Sequence, residues 1–233
     1  MQLSVEITGL KSASGVLTKR ISLGEDGRLI SDGSACVMGA GTAWRRKLSS
    51  IKAFADLIGG LGSDEAIALG RLQSELPDQV QVTTARKLAE MKDAAGSNII
   101  SRTAGHIAYA EKRAAFALLD FDTKGMPLAV ASRLEALGGF WPALVLVLPE
   151  LADTGHVIRR STSSGISRND TGEAIKGSDG VHVFVLVEDG SDIERFLRTL
   201  HDPSVPMMMR HRPPGSLPLR VSGDTSKWLC PAR

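Results

Sequence analysis

The chain has two cysteines in 233 residues, Cys36 and Cys230. They are too few, and too far apart, to suggest a disulfide framework or a zinc site. Aromatic residues make up only 4%, which argues against a surface built on many base-stacking platforms. No apolar run approaches the roughly 18 residues that a membrane-spanning helix needs; the longest, ALVLVLPEL, is cut by Pro149. The first residues, MQLSVEITGLK, lack the basic-then-apolar layout of a signal peptide. The string GxxxxGK[ST] is missing, which disfavours a P-loop NTPase. Net charge is +2, so no global field draws the chain to nucleic acid. A cytoplasmic protein without membrane contact is the expectation.

What remains is an ordinary globular composition, 42% hydrophobic and 23% charged. Its length suits one domain or two small ones with a real core. VLTKRISL and GRLIS flank Glu25-Asp26-Gly27 and read as a hairpin. KLSSIKAFADLI, 47–58, sets Leu48, Ile51, Phe54, Ala55 and Ile58 on one helical face, stopped by Gly59, Gly60 and Gly62. Ser63 is placed to cap a second helix, DEAIALGRLQSEL. VQVTT reads as a strand, ARKLAEMKDAA as a short helix, and NIISRT and HIAYA as short extended pieces.

From residue 114 strands and helices alternate. AAFALLDFD is a strand, LAVASRLEALGG and FWPALVLVLPEL are helices, and HVIRRSTS is a strand leading into a polar loop. VHVFVLVED is a strand, and Ser191-Asp192-Ile193-Glu194 reads as a capping box for DIERFLRTLH. The pattern predicts an α/β fold, an α+β mixed sheet with helices packed on it. After Asp202 the texture changes: six of the ten prolines fall in 203–233, with one acidic residue, Asp224, and no period. This tail is expected to be disordered.

Three stretches carry chemistry. In FALLDFD, strand alternation points Phe116, Leu118, Asp120 and Asp122 one way and Leu119 and Phe121 the other. Two carboxylates side by side repel, and a divalent cation resolves the conflict; oxygen donors of this kind suit magnesium or manganese. In RRSTSSG, Arg159 and Arg160 precede Ser161, Ser163, Ser164 and Gly165. Arginine offers a fork for phosphate, hydroxyls add donors, and glycine permits close backbone approach. In VHVFVLV, four valines share one face while His182, Phe184 and Leu186 share the other. His182, next to a Gly/Ser/Asp loop, is placed to donate to a phosphate oxygen. A strand-end acid pair, a polar turn and a core histidine are each also common as plain structure; their order together is the more specific signal.

In that order the stretches resemble the archaeo-eukaryotic primase superfamily. Leu118-Leu119-Asp120-Phe121-Asp122 matches its first motif and Gly180-Val181-His182 its second, with Ser164-Gly165 similar to the Ser-Gly of plasmid and phage primase-polymerases. Over most of residues 15–202 the chain looks like bacterial mobile-element proteins that carry such a domain. The resemblance implies a primase-polymerase-like domain over 1–202 with an RRM-like sheet. Within it, 1–110 would be an N-terminal helix and strand subregion and 111–202 the metal and nucleotide core. It also implies template-directed phosphodiester synthesis on a DNA template and primer from NTPs or dNTPs, and partnership with a helicase module. Asp120 and Asp122 would hold Mg2+ or Mn2+, with His182 a further catalytic residue. Arg159, Arg160, Ser161, Ser163, Ser164, Gly165 and His182 would bind the nucleotide, and the basic cluster at 45–47 is a candidate template track.

The family's third motif, an apolar strand ending in a carboxylate downstream of RFLRTLHD, has no match; Asp224 fits it poorly. Period and resemblance stop together near 202, so a frame-shifted or truncated end, and an incomplete enzyme, are expected. Reading the gene in its other frames past codon 202 tests this. Three alternatives stay open: a nucleic-acid-binding replication accessory, a glycosyltransferase that uses Asp-x-Asp for a nucleotide-sugar, and, fitting poorly at mid-chain, a haloacid dehalogenase-type phosphatase.

Overall fold

A computed structural model describes residues 3–34, 36–91, 98–123, 125–175, 180–201 and 228–230. It is a mixed α/β protein whose chain divides into two compact units, Met1–Ala110 and Glu111–Arg233.

The first unit is built on a five-stranded sheet. Its strands are β1 (Val5–Ser12), β4 (Ala40–Leu48), β5 (Glu65–Ala68), β7 (Gln79–Thr83) and β8 (Ile99–Ser101), in the order β5-β1-β4-β7-β8. All pairings are antiparallel except β7 with β8. The predicted hairpin forms as β2 (Arg20–Leu23) and β3 (Leu29–Asp32), and β6 (Arg71–Leu72) pairs with β9 (Ile107–Ala108). Two helices, α1 (Ile51–Gly60) and α2 (Ala85–Glu90), start at Ser50 and Thr84, whose side chains accept from Ala53 N and Lys87 N. Leu10, Met38, Ala43, Leu72, Val80, Val82 and Ile100 form a core. Ile51, Phe54, Ala55 and Ile58 are the buried face of α1.

Three expectations change here. The helix expected over 47–58 begins at Ile51, because Lys47 and Leu48 belong to β4. No helix follows Ser63: Glu65–Ala68 pair with β1, and the Ser63 carbonyl accepts from Leu17 N at 2.7 Å instead of heading a helix. The helix-favouring composition of EAIAL yields to pairing along β1, a tertiary choice that overrides local propensity. Arg45, in the basic cluster, is no template track. Its guanidinium donates to Glu6 Oε1, to the carbonyls of Leu72 and Leu76 at 2.8 Å each, and to that of Gln73, and lies 3.2 Å from Asp78 Oδ1. It ties the 72–78 loop to the sheet.

The second unit holds β10 (Ala115–Phe121), β11 (His156–Arg160), β12 (Val181–Val187) and β13 (Trp228–Cys230) in the order β10-β12-β11-β13. β12 runs antiparallel to both neighbours, and β13 pairs in parallel with β11. Helices α3 (Leu128–Ala136) and α4 (Phe140–Val147) join β10 to β11, and α5 (Ile193–His201) follows β12. One sheet face carries Leu119, Val183 and Val185, packed with Trp141, Leu144 and Leu151 and with Phe196, Leu197 and Leu200 of α5. Full burial of each such side chain contributes about 1.5–3 kcal/mol. His156 is a core histidine, stacked 3.9 Å from Trp141, with Nδ1 2.8 Å from the Thr154 carbonyl.

The expected capping box is replaced by a 3-10 turn, Gly190–Asp192, that runs into α5 and is capped by Asp189, whose Oδ1 accepts from Ser191 Oγ and N and from Lys112 N. These hydrogen bonds, led by the Ser191 hydroxyl, hold the Asp189 carboxyl below the usual carboxylate range. Most of the 203–233 tail lies outside the described residues, Asp224 included, but Trp228–Cys230 form a strand that no sequence period announced. Among the described residues no single helix is long and apolar enough to cross a membrane; α3 and α4 meet that measure only as a pair bent by 81°.

Candidate nucleotide site

β10, β12 and β11 place their functional residues in one cross-strand row. Asp120 registers with His182, and His182 with Arg159. Because facing residues of paired strands share a sheet face, the three side chains emerge together, on the face opposite Leu119 and Val183. Strand spacing puts Asp120 and Arg159 about 10 Å apart with His182 between them. His182 Nε2 lies 3.3 Å from Asp120 Oδ1, and their side chains are 34% and 69% exposed. The His182 ring meets Phe184 edge-on at 6.4 Å.

Phe121 explains why the strand end holds its register. It points to the helix face and stacks on Phe140, centroids 4.4 Å apart, leaving Asp120 on the opposite face, at the exposed end of a row whose inner members Phe116, Phe184 and Leu186 are buried. Asp122 lies just past the strand, exposed. The two carboxylates thus stand at one end of one strand. Among the described residues Asp120 Oδ2 has no partner, and no three His, Cys, Asp or Glu side chains gather into a cage for an ion. Magnesium is commonly held by one or two carboxylates with substrate oxygens and water completing its shell. The pair at 120 and 122 fits that manner of binding better than a closed protein cage.

The basic Ser/Gly segment divides. Arg159 is in the row, and among the described residues its guanidinium has no hydrogen-bond or ion-pair partner. Arg160, one residue on, registers with Val181 on the helix face, so the pleat separates the two forks. Ser161 N and Ser164 Oγ both donate to the Gly180 carbonyl, at 2.9 and 2.8 Å. With its one proton so engaged, Ser164 Oγ accepts from Ser161 Oγ at 2.8 Å. Ser163 Oγ stands 3.4 Å from Ser161 Oγ. Ser164 is 4% exposed, so it is a buried brace rather than a ligand donor, contrary to the role the motif implies for it. Gly165 is exposed at the end of this turn, with φ +70°.

Gly180, two residues before His182, is the other half of the brace. A Cβ there would stand 3.0 Å from the Phe121 carbonyl and 3.2 Å from Ser161 Oγ. The close approach of three chain segments favours a residue without a side chain, since a Cβ would make its neighbours give by a few tenths of an ångström. Neither the double acceptance by Gly180 nor the Phe121–Phe140 stack was deduced from the sequence. The only signals for them were a glycine before an apolar strand and an aromatic residue between two acids.

Replacing Ser164 by alanine is expected to cost about 1–3 kcal/mol by leaving buried partners unsatisfied. It should also loosen the 161–165 turn. Denaturant unfolding measures the first effect, and faster limited proteolysis within 161–165 against an unchanged Thr162→Ala control measures the second.

No family model, curated protein or solved structure matches this chain.

Proposed function

We propose that this protein is a divalent-metal-dependent nucleotidyltransferase of the primase-polymerase kind, extending or initiating a DNA strand on a template from NTPs or dNTPs. The observation that carries the reading is the Asp120–His182–Arg159 row: an exposed carboxylate end, a half-buried imidazole and a half-buried guanidinium without a partner among the described residues, across three paired strands. The splitting of β10 and β11 by antiparallel β12, with helices on one face, supports an RRM-like sheet of the sort this reading requires.

Each residue has a task in that reaction. Arg159 presents a planar fork to triphosphate oxygens and neutralises their charge. His182, steadied by Asp120, donates to a phosphate oxygen beside it. Asp120 and Asp122 hold magnesium or manganese, which when bound neutralises the triphosphate and lowers the pKa of the attacking 3′-hydroxyl. The Ser161–Ser164–Gly180 brace keeps Arg159 and His182 in register. The absence of a third carboxylate beside the row, among the described residues, favours a second reading, a replication accessory that binds DNA without synthesis.

Primer extension with labelled nucleotides and Mg2+ or Mn2+ separates the two. Extension by the wild type that is lost in Asp120→Ala/Asp122→Ala supports the polymerase. DNA binding without extension supports the accessory. Neither activity sinks both and returns the Asp-x-Asp pair to nucleotide-sugar chemistry.

A further inference from the structure

Among the described residues Lys112 is the one non-glycine residue with a positive φ, +53°. For a residue with a Cβ this left-handed region is disfavoured about 5- to 30-fold. Such a conformation persists only where its surroundings over-determine it, and it gathers at switches and clamps. Lys112 also has a particular place in the chain. The first unit ends at Ala110 and the second begins at Glu111, so the strained residue stands at the crossing from one to the other.

A carboxylate holds it there. Lys112 N donates to Asp189 Oδ1 at 2.9 Å, on the oxygen that also takes Ser191 N at 3.0 Å and Ser191 Oγ at 2.7 Å. The Asp189 carboxyl, held low first by the Ser191 hydroxyl, is drawn down further by the Lys112 charge. Beyond Lys112 the chain is tied: Gly190 N donates to the Arg113 carbonyl at 2.8 Å, next to the first β10–β12 pair, Ala115 with Val187. Before Lys112 it is not, for Ala110 and Glu111 make no hydrogen bond among the described residues. A swing of φ at this one residue, from +53° to about −60° or below, re-aims everything that precedes it.

We propose that Lys112 is a two-state hinge and that the Asp189 carboxylate is its latch. Closed, the latch holds Lys112 left-handed and fixes the direction in which the chain enters β10. Open, Lys112 relaxes to negative φ and residues 110–112 turn freely. The device goes beyond the nucleotidyltransferase reading and stands or falls apart from it.

The Lys112 amide reports the latch directly, since Asp189 Oδ1 is its acceptor. Hydrogen exchange on the full chain should show this amide protected in the wild type and exchanging about 10-fold faster or more in Asp189→Ala. Trypsin gives a second readout, because Lys112 and Arg113 are exposed and cleavage after them follows local opening. It should rise by a similar factor in Asp189→Ala, while cleavage after exposed Arg28, between β2 and β3, stays at the wild-type rate. Ser191→Ala removes the hydroxyl bond at the start of α5 and should leave the Lys112 amide protected, which separates a latch from a plain helix cap. Should Asp189→Ala fail to fold, Asp189→Asn keeps the shape and an acceptor oxygen but loses the charge, and should still speed exchange several-fold. Exchange at Lys112 that is alike in the wild type and the Asp189 variants overturns the proposal. So does release by Ser191→Ala as full as by Asp189→Ala, or a rise in cleavage at Arg28 equal to that at Lys112.

Discussion

Asp120→Asn is expected to lower nucleotide incorporation by roughly 10²- to 10³-fold, the scale of removing one preorganised charge-stabilising group from a transition state. The substitution keeps shape and removes charge. Asp120 is 69% exposed and its recorded ion-pair partner is His182, so unfolding should not follow; a circular dichroism melt within a degree or two of wild type checks that. Asp122→Asn should act in the same direction, since the proposed site assigns both carboxylates to one ion. His182→Ala should chiefly raise the nucleotide KM, as expected for a group that binds the triphosphate rather than the ion. If Asp120 only steadies His182, the double variant Asp120→Asn/His182→Ala will be no worse than His182→Ala alone. If Asp120 holds the metal, the double variant will fall well below it. Manganese titration of each variant adds a readout that a merely structural role does not move.

Arg45→Met should cost about 3–5 kcal/mol of stability, the scale of breaking a buried, multiply bonded charge by removing one partner. The side chain is 11% exposed and its partner Glu6 20%. Methionine fills much of the same space, but it leaves Glu6 and the carbonyls of Leu72, Gln73 and Leu76 without their donor. The unfolding midpoint should drop by roughly 10 °C or more. Lysine should rescue little, because an ammonium cannot reproduce a fork that reaches three carbonyls and two carboxylates at once. A midpoint within two or three degrees of wild type would show that the 72–78 loop is held by other means.

The contrast between these residues shows what was legible in the sequence. Asp120, His182 and Arg159 are read from local alternation, because a pleated strand fixes which neighbours share a face. β10, β11 and β12 were each readable as strands, but the placing of β12 between the other two was not. β4 was hidden by its own composition: Trp44, Arg45, Arg46 and Lys47 give no apolar alternation, and the reason Arg45 tolerates burial lies nearly thirty residues away in the 72–76 carbonyls. EAIAL resembles a helix until β1 is present to pair with it. Nothing in the sequence marks Ser161 and Ser164 as a brace; only the position of the Gly180 carbonyl, which accepts from both, makes them one. Local chemistry was readable, and choices made by distant partners were not.

β12 is hydrogen-bonded along both sides, to β10 and to β11. His182 therefore sits on the strand whose amide protons can exchange with solvent only when the whole sheet opens. Functional residues are often carried by the most easily opened parts of a fold. Here the backbone beneath the candidate row is the strand paired on both sides, which is expected to open last in its unit. Any adjustment of the row to a ligand is then left to side-chain rotation and to the 161–165 turn.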